Sequence, residues 1–212
     1  MTNELAFATA VIASVFAIVD PIGALPFFVA LTDGFSPTDR RHVAQRSVLV
    51  LGVMLTVFAI AGRFLFSAFG FTLEAFEIAG GILLFIVGYE MLQGELTRTK
   101  LTDQDRADAL ARRDEISVVP LGIPLLAGPG AISAVMIYEG TAGSDPLELF
   151  ATFIAIAITT AATWVVFHFG ERIVSYLGRV GVMAIARVMG LLLAAVGVQF
   201  IINGITSLFP AL

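Results

Sequence analysis

The chain alternates between long apolar stretches and short polar ones. Six apolar stretches are long enough to be read as membrane spans, roughly residues 5–31, 43–69, 74–93, 116–138, 146–169 and 183–207. About 20 apolar residues suffice to cross a hydrocarbon core as a helix. The second stretch has a clear start: Ser36 suits an N-cap, Pro37 the first helical position and Asp39 the positive helix end. That helix is expected to begin in water and enter the membrane near Val43. The first and fourth stretches are interrupted, by Asp20-Pro21-Ile22-Gly23-Ala24-Leu25-Pro26 and by Gly128-Pro129-Gly130-Ala131-Ile132-Ser133. The pattern predicts an all-α integral membrane protein of six transmembrane helices with broken first and fourth helices.

Composition agrees. Hydrophobic residues make up 58% of the chain and charged residues 14%, with a mean hydropathy of +0.95; a soluble domain carries about 25% charge. The net charge of −5 and the absence of a basic patch argue against a nucleic-acid partner. With no cysteine there is no disulfide, thiol catalysis or thiolate metal site. The start, Met-Thr-Asn-Glu, lacks a basic n-region, so the first apolar run is read as retained rather than as a signal peptide.

Charge placement gives an orientation. Eleven of the twelve Lys and Arg flank the first, central and fifth connections: Arg40, Arg41 and Arg46; Arg98, Lys100, Arg106, Arg112 and Arg113; Arg172, Arg179 and Arg187. Only Arg63 belongs to the other side. The positive-inside rule then puts those three connections in the cytoplasm and both termini outside. The polar centre, residues 94–115, is read as a cytoplasmic linker between three-helix units at 1–93 and 116–212, together one membrane domain.

The two units resemble each other. Gly81, Leu83, Leu84, Val87 and Gly88 recur as Gly190, Leu192, Leu193, Val196 and Gly197, 109 residues on, and Pro21-Ile22-Gly23-Ala24 can be set against Pro129-Gly130-Ala131 at nearly the same offset. Three helices per unit is an odd number, so the second unit must be inverted. Two inverted three-helix repeats are a common transporter plan, in which paired interruptions mark the substrate site.

Such interruptions have a defined chemistry. A proline within a helix removes one hydrogen bond and blocks a carbonyl. A half-helix N-terminus beyond it presents amide donors to an anionic group, and freed carbonyls suit a cation or ammonium. A small zwitterion meets both. The candidate substrate-binding residues are therefore Asp20, Pro21, Gly23, Ala24, Gly128, Pro129, Gly130, Ala131 and Ser133. Asp20 lies some fifteen residues into the first span, where a bare carboxylate is costly. It suits a substrate ammonium, a coupling proton or Na⁺, or a cap for a half-helix starting at Pro21. Gln199 and Asn203 suit hydrogen bonding between helices or the cavity wall. His42 and His168 stand apart, so no metal site or cofactor is expected. No nucleophile elbow, H-E-x-x-H or phosphate-binding loop is present, which argues against an enzyme.

Three segments in order, Asp20 to Phe28, Phe69 to Leu84 and Val119 to Ser133, resemble signatures of the MarC family of integral membrane proteins. The resemblance implies a six-helix bacterial or archaeal inner-membrane protein, related to SnatA-type transporters that move glycine and alanine with ion coupling. It makes a small neutral amino acid the expected substrate and H⁺ the expected coupling ion, with Na⁺ as the alternative. Export of other small metabolites and a non-transporting scaffold are the competing readings. One departure is Glu77, where the family often carries a basic or polar residue.

The charge bias makes a direct prediction. Single cysteines at Thr2 and Ala211 should react with an impermeant reagent in intact cells, and one at Thr102 should not. The reverse pattern overturns the orientation.

Overall fold

The computed structural model describes residues 2–93, 113–142 and 145–208, all built from helices and their connections. Helix α1 (Thr2–Val19) runs into α2 (Pro21–Leu31), and α3 (Pro37–Phe69) is followed by α4 (Leu73–Gln93). The distorted segment α5 (Ser117–Leu126) leads to α6 (Pro129–Ala142), and α7 (Pro146–Leu208) completes the bundle. Five stretches are long and apolar enough to cross a membrane: Leu5–Leu31, Pro37–Phe69, Leu73–Gln93, Pro146–Gly170 and Arg187–Leu208. The pair Arg113–Leu126 and Pro129–Ala142, bent by 59° at the break, makes a sixth where it counts as one span. The linker read from the sequence at 94–115 lies mostly outside the described residues.

The start of α3 follows its sequence. The Ser36 hydroxyl accepts from Asp39 N at 3.1 Å, Pro37 opens the helix and Gly70 closes it at φ +69°. The connection expected between the last two spans is instead helical, because α7 continues from Pro146 to Leu208. Residues 171–180 contain Gly178 but no proline, and their mixture of Glu, Arg, Ile, Val and Leu is compatible with a helix.

The closest helix contact is between α4 and the second half of α7. A methyl group built on Gly81 would lie 2.5 Å from Gly197 O, and one on Gly88 2.5 Å from Ala194 N and 2.6 Å from Gly190 O. Farther along, one on Gly204 would lie 2.8 Å from Glu74 O. Rising numbers on α4 meet falling numbers on α7, so the two run antiparallel with backbone against backbone. Without a hydrophobic driving force in lipid, close packing across small residues is a main source of helix association. The first half of α7 packs elsewhere, with the rings of Phe28 and Phe167 stacked at 4.4 Å.

One end of the bundle is held by charge. Arg40 is buried at the C-terminus of α2, where its Nε donates to Thr32 Oγ1 and its Nη2 to Thr32 O, both at 3.2 Å. Helix-end carbonyls are suitable partners for a buried cation. Arg113, just before α5, pairs with Asp39 of α3 at 3.1 Å, and Asp114 pairs with Arg46 at 2.9 Å and lies 3.1 Å from His42 Nε2. These contacts fix the entry of the fourth span against the second.

The glycine contact generates a stability prediction. Gly88→Ala forces a methyl into backbone and should destabilise the protein by about 1–3 kcal/mol. Gly52→Ala meets only the side chain of Thr160, at 3.2 Å, and should cost less. Thermal unfolding of the purified protein in detergent compares them, and equal melting temperatures would show that α4 and α7 can separate freely.

Candidate functional site

The first break is a one-residue change of backbone. Asp20 N still donates to Phe16 O at 3.0 Å and Ala24 N to Asp20 O at 2.9 Å, but Asp20 itself sits at φ 43°, ψ 68°. Asp tolerates this left-handed conformation better than most residues. Its carboxylate Oδ1 accepts from Gly23 N at 3.0 Å and so caps α2. Gly23 is required beside it, since a methyl there would overlap the Asp20 carboxylate. Asp20 and Gly23 are exposed, whereas Pro21 and Ala24 are buried.

The second break is longer. Val119 and Ile123 have extended backbone, each before a proline joined by a cis peptide bond, and Ala127 N reaches back to Gly122 O at 2.9 Å. At Gly128 a methyl would lie 2.6 Å from Pro124 O, so the chain passes here only as glycine. Helix α6 then starts at Pro129, with Ile132 N donating to Gly128 O at 3.0 Å.

The two breaks meet. A methyl on Gly130 would come 3.3 Å from Ile18 Cγ2, two residues before Asp20. On its other side the second break rests on the α4–α7 pair. A methyl on Gly80 would lie 3.5 Å from both Pro124 Cβ and Pro129 Cγ, and one on Gly128 3.7 Å from Phe200 Cε2. As at any helix start, the first N–H groups of α2 and α6 have no acceptor one turn earlier within their own helix. The start of α6 therefore lies against the end of α1, two residues before the first break.

Of the residues expected from sequence, Asp20, Gly23 and Gly130 are exposed, while Pro21, Ala24, Gly128, Pro129 and Ala131 are buried parts of the turns that shape the breaks. Ser133 is half-buried one turn into α6 and has no hydrogen bond among the described residues. Ile18 and Phe200 were not legible as neighbours of the breaks, because apolar residues in apolar helices carry no positional signal. A cavity of about 800 Å³ lies elsewhere, between α3 and α7. Its lining is apolar apart from Thr56 and Thr160, and the Thr56 hydroxyl already donates to Gly52 O at 2.7 Å. It touches neither break. Among the described residues no group of His, Asp or Glu has the arrangement of a metal site.

Apolar helices of spanning length, one of them broken at proline and glycine, define a multi-pass integral membrane protein. The model of the MarC family integral membrane proteins matches residues 5–209, and the chain belongs to that family. It is 42% identical over 194 residues to a UPF0056 membrane protein of Pyrococcus abyssi, covering 92% of each chain. It is 43% identical over 195 residues to one of Pyrococcus horikoshii, again covering 92% of each. With the UPF0056 membrane protein YhcE of Escherichia coli it shares 36% identity over 197 residues, 93% of this chain and 91% of the other. No solved structure matches it.

The cap at the first break can be tested by a thermodynamic cycle. Gly23→Ala should destabilise the wild type by about 0.5–2 kcal/mol, the usual cost of losing an N-cap. In an Asp20→Gly background the same change should cost far less, since the carboxylate it overlaps is gone. Additive costs in denaturant unfolding would show that Asp20 and Gly23 do not act together.

Proposed function

We propose that this protein is a secondary transporter of small neutral amino acids of the glycine and alanine class, with its substrate held between the two breaks. The observation that carries the reading is the approach of Gly130 to Ile18, which brings the N-terminus of α6 to the end of α1, two residues from Asp20. A substrate carboxylate takes the amides of Gly130 and Ala131, where dipole and donors act together. A substrate ammonium takes the carboxylate of Asp20, whose Oδ2 has no hydrogen bond among the described residues. Gly130 has no side chain to keep a ligand from its backbone. Membership of the MarC family is compatible with this reading.

The inverted-repeat plan is part of the same proposal. Replacing each residue by its counterpart 109 positions away turns the Gly81–Gly197 contact into Gly190–Gly88, which is the second contact of the pair. A two-fold axis between α4 and α7 produces that exchange, and it supports two inverted halves of residues 1–93 and 116–212. In an inner membrane the charge bias then leaves both termini outside.

Proteoliposome counterflow with labelled glycine, alanine, serine and a basic amino acid tests the function. Glycine and alanine should accumulate transiently and the basic amino acid should not. Asp20→Asn keeps the cap acceptor but loses the charge, and should abolish both exchange and accumulation while leaving thermal stability near wild type. Gly130→Leu should do the same. No counterflow of any of the four substrates by the wild-type protein would favour a scaffold or a carrier of other metabolites.

A further inference from the structure

The cavity between α3 and α7 has no part in the breaks, and its shape and its ends point to a ligand of its own. It is a groove open along one side: Leu49, Val53 and Val57 of α3 and Ala157, Ala161 and Trp164 of α7 line it, and all six are exposed. Both helices are candidate membrane spans here, Pro37–Phe69 and Pro146–Gly170. The volume of about 800 Å³ falls within the roughly 300–1,000 Å³ of sites that take a small organic molecule. Nothing in the groove suits a zwitterion. The Thr56 hydroxyl is committed to Gly52 O, and the Thr160 hydroxyl is buried against Gly52.

The groove has one polar end. Gly52 faces Thr160, while Arg40 of α3 and Phe167 of α7 both lie at the C-terminal end of α2, Arg40 on Thr32 and Phe167 on Phe28 one turn before it. Falling numbers on α3 therefore go with rising numbers on α7. In that direction Arg41 shares a helix face with Val48 and Gly52, at i+7 and i+11, and His168 shares one with Ala161 and Ala157 at the same spacings. Arg41 lies about 10 Å beyond Val48 along α3, and His168 about 6 Å beyond Trp164 along α7. Trp164 and His168 are stacked at 5.4 Å. Apolar wall, then indole, then imidazole and guanidinium is the order a bilayer presents from tail to headgroup, with tryptophan at the interface. Arg41 is exposed and has no ion pair or hydrogen bond among the described residues. Its neighbours are engaged: Arg46 pairs with Asp114, Arg113 with Asp39, and Arg40 turns onto Thr32. Glu115 is exposed as well, but it lies with Arg46 on the side of α5.

We propose that the groove binds one phospholipid with an anionic headgroup. One acyl chain fills the groove, and the phosphate pairs with Arg41 beside Trp164 and His168. An apolar groove inside a span meets acyl chains, and seating one gains dispersion contacts along its length. A second copy of the chain fits less well. A two-fold pair sets the same patch against itself, and two concave grooves facing each other enclose a void. The charge of Arg41 sets the headgroup preference, because basic groups between helices at the membrane surface favour anionic lipids. The site rests on the place of the groove within the spans and is independent of the transporter reading.

Trp164 is the only tryptophan of the chain, so tryptophan fluorescence reports on this groove alone. The protein is reconstituted in phosphatidylcholine vesicles containing a small share of either phosphatidylglycerol or phosphatidylcholine with brominated acyl chains, bromine being a contact quencher. Quenching should saturate, and brominated phosphatidylglycerol should reach its half-maximum at a mole fraction about fivefold lower, the factor one basic residue supplies near an anionic lipid. Arg41→Gln should remove this preference and Arg41→Lys should keep it. Ala157→Phe, which fills the groove from an exposed position, should remove the saturable quenching by both lipids. Equal quenching by the two lipids in the wild type, or a preference unchanged in Arg41→Gln, overturns the headgroup contact. Saturable quenching that survives Ala157→Phe overturns the groove as the seat of the acyl chain. Absence of quenching by either lipid in the wild type means that protein covers Trp164, and overturns the lipid site in favour of a second copy.

Discussion

A peptide N–H inside a hydrocarbon layer has no water to turn to, and this constraint organises the molecule. An unbroken helix meets it internally. Where α1 gives way to α2 the chain meets it with a single side chain: Asp20 bends into a left-handed conformation and accepts from Gly23 N. Where α5 gives way to α6 the residue before the helix is Gly128, which has no side chain to do this, and the first amides of α6 lack an acceptor within their own helix. The two breaks are thus chemically unequal although they occupy matching places in the chain. One carries its own acceptor and a charge; the other offers donors alone.

In the proposed transporter, that inequality lets one site address both ends of a zwitterion. Asp20 also holds the shape of its turn, because its carboxylate accepts from a backbone amide within it.

What could be read from the sequence was local or periodic. The Ser36 cap, the Asp20-Pro21 start and the spanning segments depend on neighbours a few residues apart, and a short window contains all of the information. The glycines at 81, 88, 190 and 197 were legible as a pattern that recurs 109 residues on. Which glycine meets which was not legible, nor was the contact of Gly130 with Ile18. These depend on how helices are placed in space. Arg40 read only as an orientation signal, since nothing in its neighbourhood reveals that it turns back onto Thr32. The helical backbone between the last two spans was missed for a different reason: polar residues there suggested a loop, although they also suit a helix.

The pairing of Arg113 and Asp114 with Asp39 and Arg46 has a consequence for how such a chain could have arisen. The second half is docked by charge, through the residues just before it, on the N-terminal end of α3, rather than by the length of the chain between the halves. A covalent link then raises the local concentration of one half near the other, a benefit that changes only slowly with loop length. Insertions and deletions between the halves are accordingly cheap. Two separately encoded halves that already recognised each other through these ion pairs would have lost little by being joined, and gained a fixed one-to-one ratio.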